Sequence, residues 1–348
     1  MSVFRDEREG RVRTIWRLLL TGLLLAVTTL AFSAALAPIA YLISPGSVGA
    51  PTSTRDAFIP PILLLVGTLA TLAAAFLSIW LACRWLDRRR LSDLGLRLSS
   101  AWWGDFWFGL IVSVAAISVA FAIEVAMGWV QITGFGAIEG GATFLTELLM
   151  ALVTLGAVGV YEELIMRGYV MKNIAEGFNS SESSPTGGVY AGWLLSSVVF
   201  ALPHITNPGA SFTGILNIFA SGVLVLGLGY VLTGRLGLSI GMHIGWNFAQ
   251  GFIFGLPTSG TMIGRYPILM TEQSGPALMT GGAFGLEGGA LGTLALIIAC
   301  AATLIWARRR EGRIFAHEEI AEPPVLPRQE LEPPKPDSSE PLPEQPDA

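Results

Sequence analysis

The sequence predicts an all-α, polytopic membrane protein of about eight transmembrane helices with a disordered C-terminal tail, and three observations carry that reading. Of 348 residues, 52% are hydrophobic and only 14% charged, whereas soluble domains carry roughly 25% charged residues. A membrane-crossing helix needs about 20 apolar residues, and runs of that length recur between short polar loops. Nothing alternates in polarity over consecutive segments of about 10 residues, so a β-barrel is excluded and strands are set aside.

The apolar runs and the charges that flank them define the spans in order. The first covers 18–42 and follows Arg5, Arg8, Arg11, Arg13 and Arg17. It is far longer than a signal-peptide core of about 7 to 15 residues, so an uncleaved span is expected. The second, 59–83, stops at the basic stretch Arg84, Arg88, Arg89, Arg90 and Arg97, after which the third covers 106–127. The fourth, 144–172, ends on Lys172. The fifth and sixth cover 190–205 and 214–232, Arg235 separates the sixth from the seventh at 238–254, and the eighth, 288–306, runs into Arg308, Arg309 and Arg310. The chain thus divides into a basic N-terminus (1–17), a first group of spans (18–135), a core that gathers the polar residues (140–255), an outer loop with the last span (256–306), and a tail that is first basic and then rich in Pro and Glu (307–348).

Eight spans put both termini on one side, and the basic residues decide which. That side collects sixteen of them, counting Lys172, Arg235 and Arg313, against only Arg55 and Arg265 on the other. The positive-inside rule therefore places both termini in the cytoplasm. The net charge of -5 is uninformative about partners, because residues 318–348 contribute -7 of it and nine prolines. A segment of that composition cannot bury enough apolar surface to fold. His317, next to Glu318 and Glu319, is expected to be solvated. Cys83 and Cys300 lie in apolar runs and imply packing, not a disulfide, and the GGAFGLEGG run at 281–289 implies close packing or loop flexibility.

Placing a charged side chain at the bilayer centre costs about 2.5–3.5 kcal/mol, so such residues need a partner or a task. The fourth span reads GVYEELIMRGYVMK. Glu163 and Arg167 are four apart and pair on one helix face, while Glu162 points about 100° away. The fifth ends in SSVVFALPHI, with Phe200 and His204 on a common face, and the seventh reads LSIGMHIGWNFAQG, with His243 and Asn247 likewise. Helix rise sets these groups about 12 to 16 Å from Lys172, Trp193 and Arg235, taken as interfacial anchors. One site near mid-membrane, reached from the cytoplasm, follows. Glu124 and Glu147 lack such company and are expected to face a cavity or the interface.

Hydrolysis of a peptide bond needs a base for water, donors for the tetrahedral oxyanion and exclusion of bulk solvent. A carboxylate in a low-dielectric cavity makes Glu162 a credible general base, with His204 orienting the same water. His243 and Asn247 are candidate oxyanion donors, and Arg167 compensates Glu163.

The ordered trio EExxxR (Glu162, Glu163, Arg167), FxxxH (Phe200, His204) and HxxxN (His243, Asn247) resembles the CAAX protease and bacteriocin-processing family of intramembrane proteases, over roughly residues 140–255. The resemblance implies an eight-helix or similar core with a cavity open to the cytoplasm. It also implies endoproteolysis of membrane-associated protein or peptide substrates within the lipid bilayer by a glutamate-activated water. Catalysis is expected to need no cofactor, and no nucleic-acid partner is expected. Three alternatives stay open. Glu162, His204 and His243 form an acceptable zinc ligand set, although no HExxH helix is present. The same groups can relay protons in a transporter, or belong to a non-catalytic scaffold or immunity protein.

Overall fold

A computed structural model of the chain describes residues 3–6, 11–43, 61–179 and 184–324. Arg8, the loop 44–60 with Arg55, and most of the acidic, proline-rich tail lie outside these residues. The described part is a helical membrane bundle. Its long helices are α1 (Thr14–Ile43), α2 (Pro61–Ala82, wound on to Asp87 by a π-type turn), α3 (Ser100–Ala126), α4 (Ala142–Phe178) and α5 (Pro185–Ala201). They continue with α6 (Phe212–Thr233), α7 (Leu236–Asn247, continuing as Phe248–Ile253) and α8 (Ala290–Glu311). Seven of these helices are long and apolar enough to cross a bilayer, which makes the chain an integral multi-pass membrane protein.

The helix outside that set is α7. Its interior carries His243, Asn247 and Gln250, and its glycines Gly237, Gly241 and Gly245 recur every four residues against α3. A Cβ at Gly241 would come 2.0 Å from the Phe106 carbonyl oxygen, and one at Gly245 would come 2.5 Å from that of Leu110. Small residues at this spacing let two backbones approach, so α7 buries its polar groups in protein instead of presenting apolar side chains to lipid.

Three helices begin earlier than their apolar runs. Ser99, Ser184 and Ser211 each accept a hydrogen bond from a first-turn amide, at 3.2, 3.1 and 3.0 Å. Such N-caps are worth about 1 kcal/mol each and start a helix before its hydrophobic stretch. Pro185, directly after its cap, is pre-set for the first helical position. The early start of α5 removes Trp193 as the interfacial anchor from which the depth of His204 was counted. Lys172 is no anchor either: it is buried, and its ammonium donates to the carbonyls of Glu319 and Ile320 at 2.8 and 3.3 Å.

Strands are present after all, in loops too short to imprint an alternating pattern. β1 (Arg5–Asp6) pairs with β2 (Arg11–Val12), and β3 (Val130–Phe135) pairs antiparallel with β4 (Leu269–Gln273). The second pair ties the end of α3 to the long connection before α8. Glu124 and Glu147, expected to face a cavity or the interface, instead anchor this connection. Glu124 accepts from Gln273 Nε2 at 3.2 Å, and Glu147 accepts the amides of Arg265 and Tyr266 at 2.7 and 2.8 Å.

At the opposite end, Glu176 of α4 binds Arg11 (3.2 Å), Arg17 (3.0 Å) and Arg89, and Arg17 also binds Asp87 at 2.9 Å, all of them buried. These arginines, counted above as loop charges, clamp α1 and the α2 extension onto α4. The chain after α8 returns to the same end. Ile320 and Ala321 are buried, and the amide of His317 donates to the Val231 carbonyl at 2.9 Å. Both ends of the described chain therefore dock on one face, and His317 is a half-buried strap residue, not a solvated one, because its neighbours supply an apolar anchor that composition averaging hides.

Burial holds the His317 imidazole below its ordinary range, with Glu311, Glu319 and Arg235 the charged groups facing it. A histidine whose folded-state pKa is depressed stabilises the docked form above the unfolded value of about 6.5 and loses that contribution as pH falls through it. Hydrogen exchange of residues 315–321, corrected for intrinsic rates, is expected to be slower at pH 7.5 than at pH 5.5. His317→Gln is expected to remove most of the difference, and an unchanged pH response in that variant would refute the assignment.

Candidate active site

Four elements deliver the polar residues to one cavity of about 290 Å³. Glu162 and Glu163 end the regular part of α4, which passes into π-type winding over Leu164–Met171. Asn247 is likewise followed by π-type winding over Phe248–Ile253, and α6 has the same irregularity at Gly222–Gly227. Such insertions into a helix cluster at functional sites because they re-aim side chains without ending the helix. His204 sits beyond α5 on a 3₁₀ turn, Leu202–Thr206, which begins where Pro203 lacks the amide needed to continue the α-helical ladder.

Glu162, His204, His243 and Asn247 all line the cavity, as does Phe200. His243 Nε2 lies 3.7 Å from Glu162 Oε2, and its Nδ1 donates to Glu163 Oε1 at 2.8 Å. Arg167 Nη1 donates to the same Glu163 oxygen, also at 2.8 Å, and both members of that pair are essentially inaccessible. Glu163 and Arg167 therefore stand behind the cavity wall, holding His243 in place. The remaining support is the Phe200 ring, 5.2 Å from the ring of His204 and 6.1 Å from that of His243, with the Arg167 guanidinium over it at 4.3 Å. His204 Nδ1 donates to the Phe200 carbonyl at 3.0 Å. That leaves Nε2 as the nitrogen free to accept in the neutral ring.

This arrangement extends one expectation. The described lining of the cavity continues from Glu162 to Asn207, Thr258, Ser259 and Glu287, in the connections at the end of the bundle away from the described termini. Glu163, expected only to pair with Arg167, bridges Arg167 and His243. Several cavity residues escaped the sequence reading, Glu287 and Trp246 among them. Glu287 lies in the glycine-rich run, and Trp246 lies between His243 and Asn247. A carboxylate flanked by glycines carries no spacing signal, so only its position in space marks it.

Among the described residues, no group of three or more His, Cys, Asp or Glu side chains is placed to hold a metal ion. His243 Nδ1 is committed to Glu163 and His204 Nδ1 to a carbonyl, which leaves Nε2 of each neutral ring as the available nitrogen.

No curated protein and no solved structure matches the chain. A family model does: residues 143–249, which hold Glu162, Glu163, Arg167, Phe200, His204, His243 and Asn247, match the Rce1-like family, described as type II CAAX prenyl endopeptidase Rce1-like, in agreement with the three motifs.

Proposed function

We propose that the protein is an intramembrane endopeptidase that cleaves membrane-associated protein or peptide substrates with a water activated by Glu162. The observation that carries the reading is the convergence of Glu162, His204, His243 and Asn247 on one cavity, with His243 fixed from behind by Glu163. Glu162 takes a proton from water as the oxygen attacks the scissile carbonyl, and His204 Nε2 orients that water. In its imidazolium form His243 donates from Nδ1 to Glu163 and from Nε2 into the cavity, where it and the Asn247 amide stabilise the oxyanion. Protonated Glu162 then passes its proton to the departing amine as the C–N bond breaks. The enclosed, largely apolar walls keep bulk water away from the intermediate. The test is a comparison of membrane proteomes from cells carrying the wild type or Glu162→Gln, and a fragment present only with the wild type is the expected result. Identical peptide inventories would count against proteolysis.

The excess of basic residues on the face of the termini supports a cytoplasmic placement for both. In that orientation the cavity residues Asn207, Thr258, Ser259 and Glu287 lie at the end of the bundle away from the cytoplasm. A cysteine at the exposed Met262 is then expected to react with a membrane-impermeant maleimide on intact cells, and one at Arg309 only after lysis. The opposite labelling pattern would invert the topology.

A further inference from the structure

A second carboxylate looks into the cavity from outside the segment that matches the family. Glu287 is buried on the turn Leu286–Gly288. One of its oxygens accepts from both the amide and the hydroxyl of Ser259, and the other from Trp246 Nε1 at 3.3 Å. The turn is rigid. Gly285 has φ +100°, and a Cβ there would come 1.8 Å from the Pro257 carbonyl oxygen, so the backbone before Glu287 is pressed against the 257–259 segment. Through Trp246 the carboxylate is also tied to the helix face that presents His243 and Asn247. Its place in the cavity is thus built into the fold.

The charge balance of the cavity gives this placement a meaning. Its described lining contains Glu162, Glu287 and two histidines, and no lysine or arginine. Arg167, the guanidinium at hand, is withdrawn behind Phe200 and committed to Glu163. Apolar walls such as Leu155, Val158, Ile218 and Leu226 strengthen the field of the two carboxylates by excluding water. A substrate that inserts its own C-terminal carboxylate meets repulsion there, and one that brings a cationic nitrogen meets an oriented carboxylate whose Oε2 takes a single hydrogen bond, from Trp246, and keeps acceptor capacity. Burial pushes the Glu287 carboxyl up, with the Ser259 and Trp246 donors offsetting part of that shift; an arriving cation would offset more of it.

We infer that Glu287 determines specificity, and that the substrate is a peptide segment carrying a cationic nitrogen next to the scissile bond, from a lysine or arginine side chain or a free amino terminus. This inference rests on the endopeptidase reading. The test uses the full-length protein in neutral detergent and quenched-fluorescence decapeptides of one apolar sequence, with Lys, Ala or Glu placed in turn on either side of the centre and the N-terminus free or acetylated. Lys peptides are expected to be cleaved with kcat/KM about tenfold or more above their Glu counterparts. Glu287→Gln is expected to erase most of that ratio and Glu287→Lys to invert it, while Ser259→Ala, which removes a donor and keeps the charge, preserves it. A preference that follows acetylation instead of Lys assigns the cation to the amino terminus.

Binding of fluorescein-labelled Lys and Glu peptides to the Glu162→Gln protein separates this inference from the reading beneath it. Tighter binding of the Lys peptide that disappears on adding Glu287→Gln, with no peptide cleaved by the wild type, would keep Glu287 as the cation-recognising group and discard the protease. Equal binding of the two peptides, equal cleavage by the wild type, or a preference that survives Glu287→Gln would overturn the inference.

Discussion

Glu162→Gln is expected to lower turnover of any cleaved substrate by about 10²- to 10⁴-fold, the range that a positioned general base supplies. The substitution keeps the size of the side chain and removes its ability to take a proton. Glu162 is the carboxylate of the pair that faces the cavity, its side chain 26% exposed, while Glu163 is fully enclosed. The fold should tolerate the change, because the buried ion pair and the Glu163–His243 hydrogen bond do not involve Glu162. Thermal unfolding in detergent is therefore expected to stay near that of the wild type while cleavage collapses. In the same assay, dialysis against a chelator is expected to leave wild-type activity intact. Activity lost with the chelator and restored by zinc would replace the proposed mechanism with a metal-dependent one, and a Glu162→Gln enzyme at full rate would remove Glu162 from the base role.

Arg167→Met is expected to act on stability first, costing about 3–5 kcal/mol, as when one partner of a buried ion pair is deleted. Arg167 and Glu163 lie at 1% and 0% side-chain exposure, four residues apart on α4. Removing the guanidinium leaves the carboxylate in an apolar wall with His243 as its remaining partner, and also removes the cation from the face of Phe200, 4.3 Å away. Arg167 Nε and Nη2 are themselves buried without a hydrogen-bond partner among the described residues, so the pair is not a source of stability in its own right. The double variant Glu163→Gln, Arg167→Met is accordingly expected to be less destabilised than Arg167→Met alone, and a double-mutant cycle on the unfolding transition measures the coupling. Additive losses would show that the two side chains do not depend on each other.

Much of the architecture was legible along the chain because burial in lipid imposes long apolar runs, and those runs survive averaging over a window. α1 to α6 and α8 each appear within several residues of the expected limits. α7 was also found from its sequence, as an apolar run bounded by Arg235, although it is not among the seven helices long and apolar enough to cross a bilayer. The boundaries were less legible, since Ser99, Ser184 and Ser211 start helices by hydrogen bonding, which hydropathy does not register. The same averaging concealed the strap at 315–321, where Ile320 and Ala321 dock inside a segment whose composition reads as solvated.

For the site, residue spacing alone determined that Glu163 and Arg167 share a helix face, that His204 lies one turn from Phe200, and that His243 lies one turn from Asn247. These are contacts within a single helix or turn, and helix geometry settles them locally. Which residues meet across helices was decided only by tertiary packing. The bonding of His243 to Glu163, the placing of Phe200 beneath Arg167 and the arrival of Glu287 at the cavity wall all depend on close approaches between residues distant in sequence, 80 apart in the case of His243 and Glu163. Local periodicity holds no information on such approaches, because they are set by which side chains and backbones fit together in three dimensions.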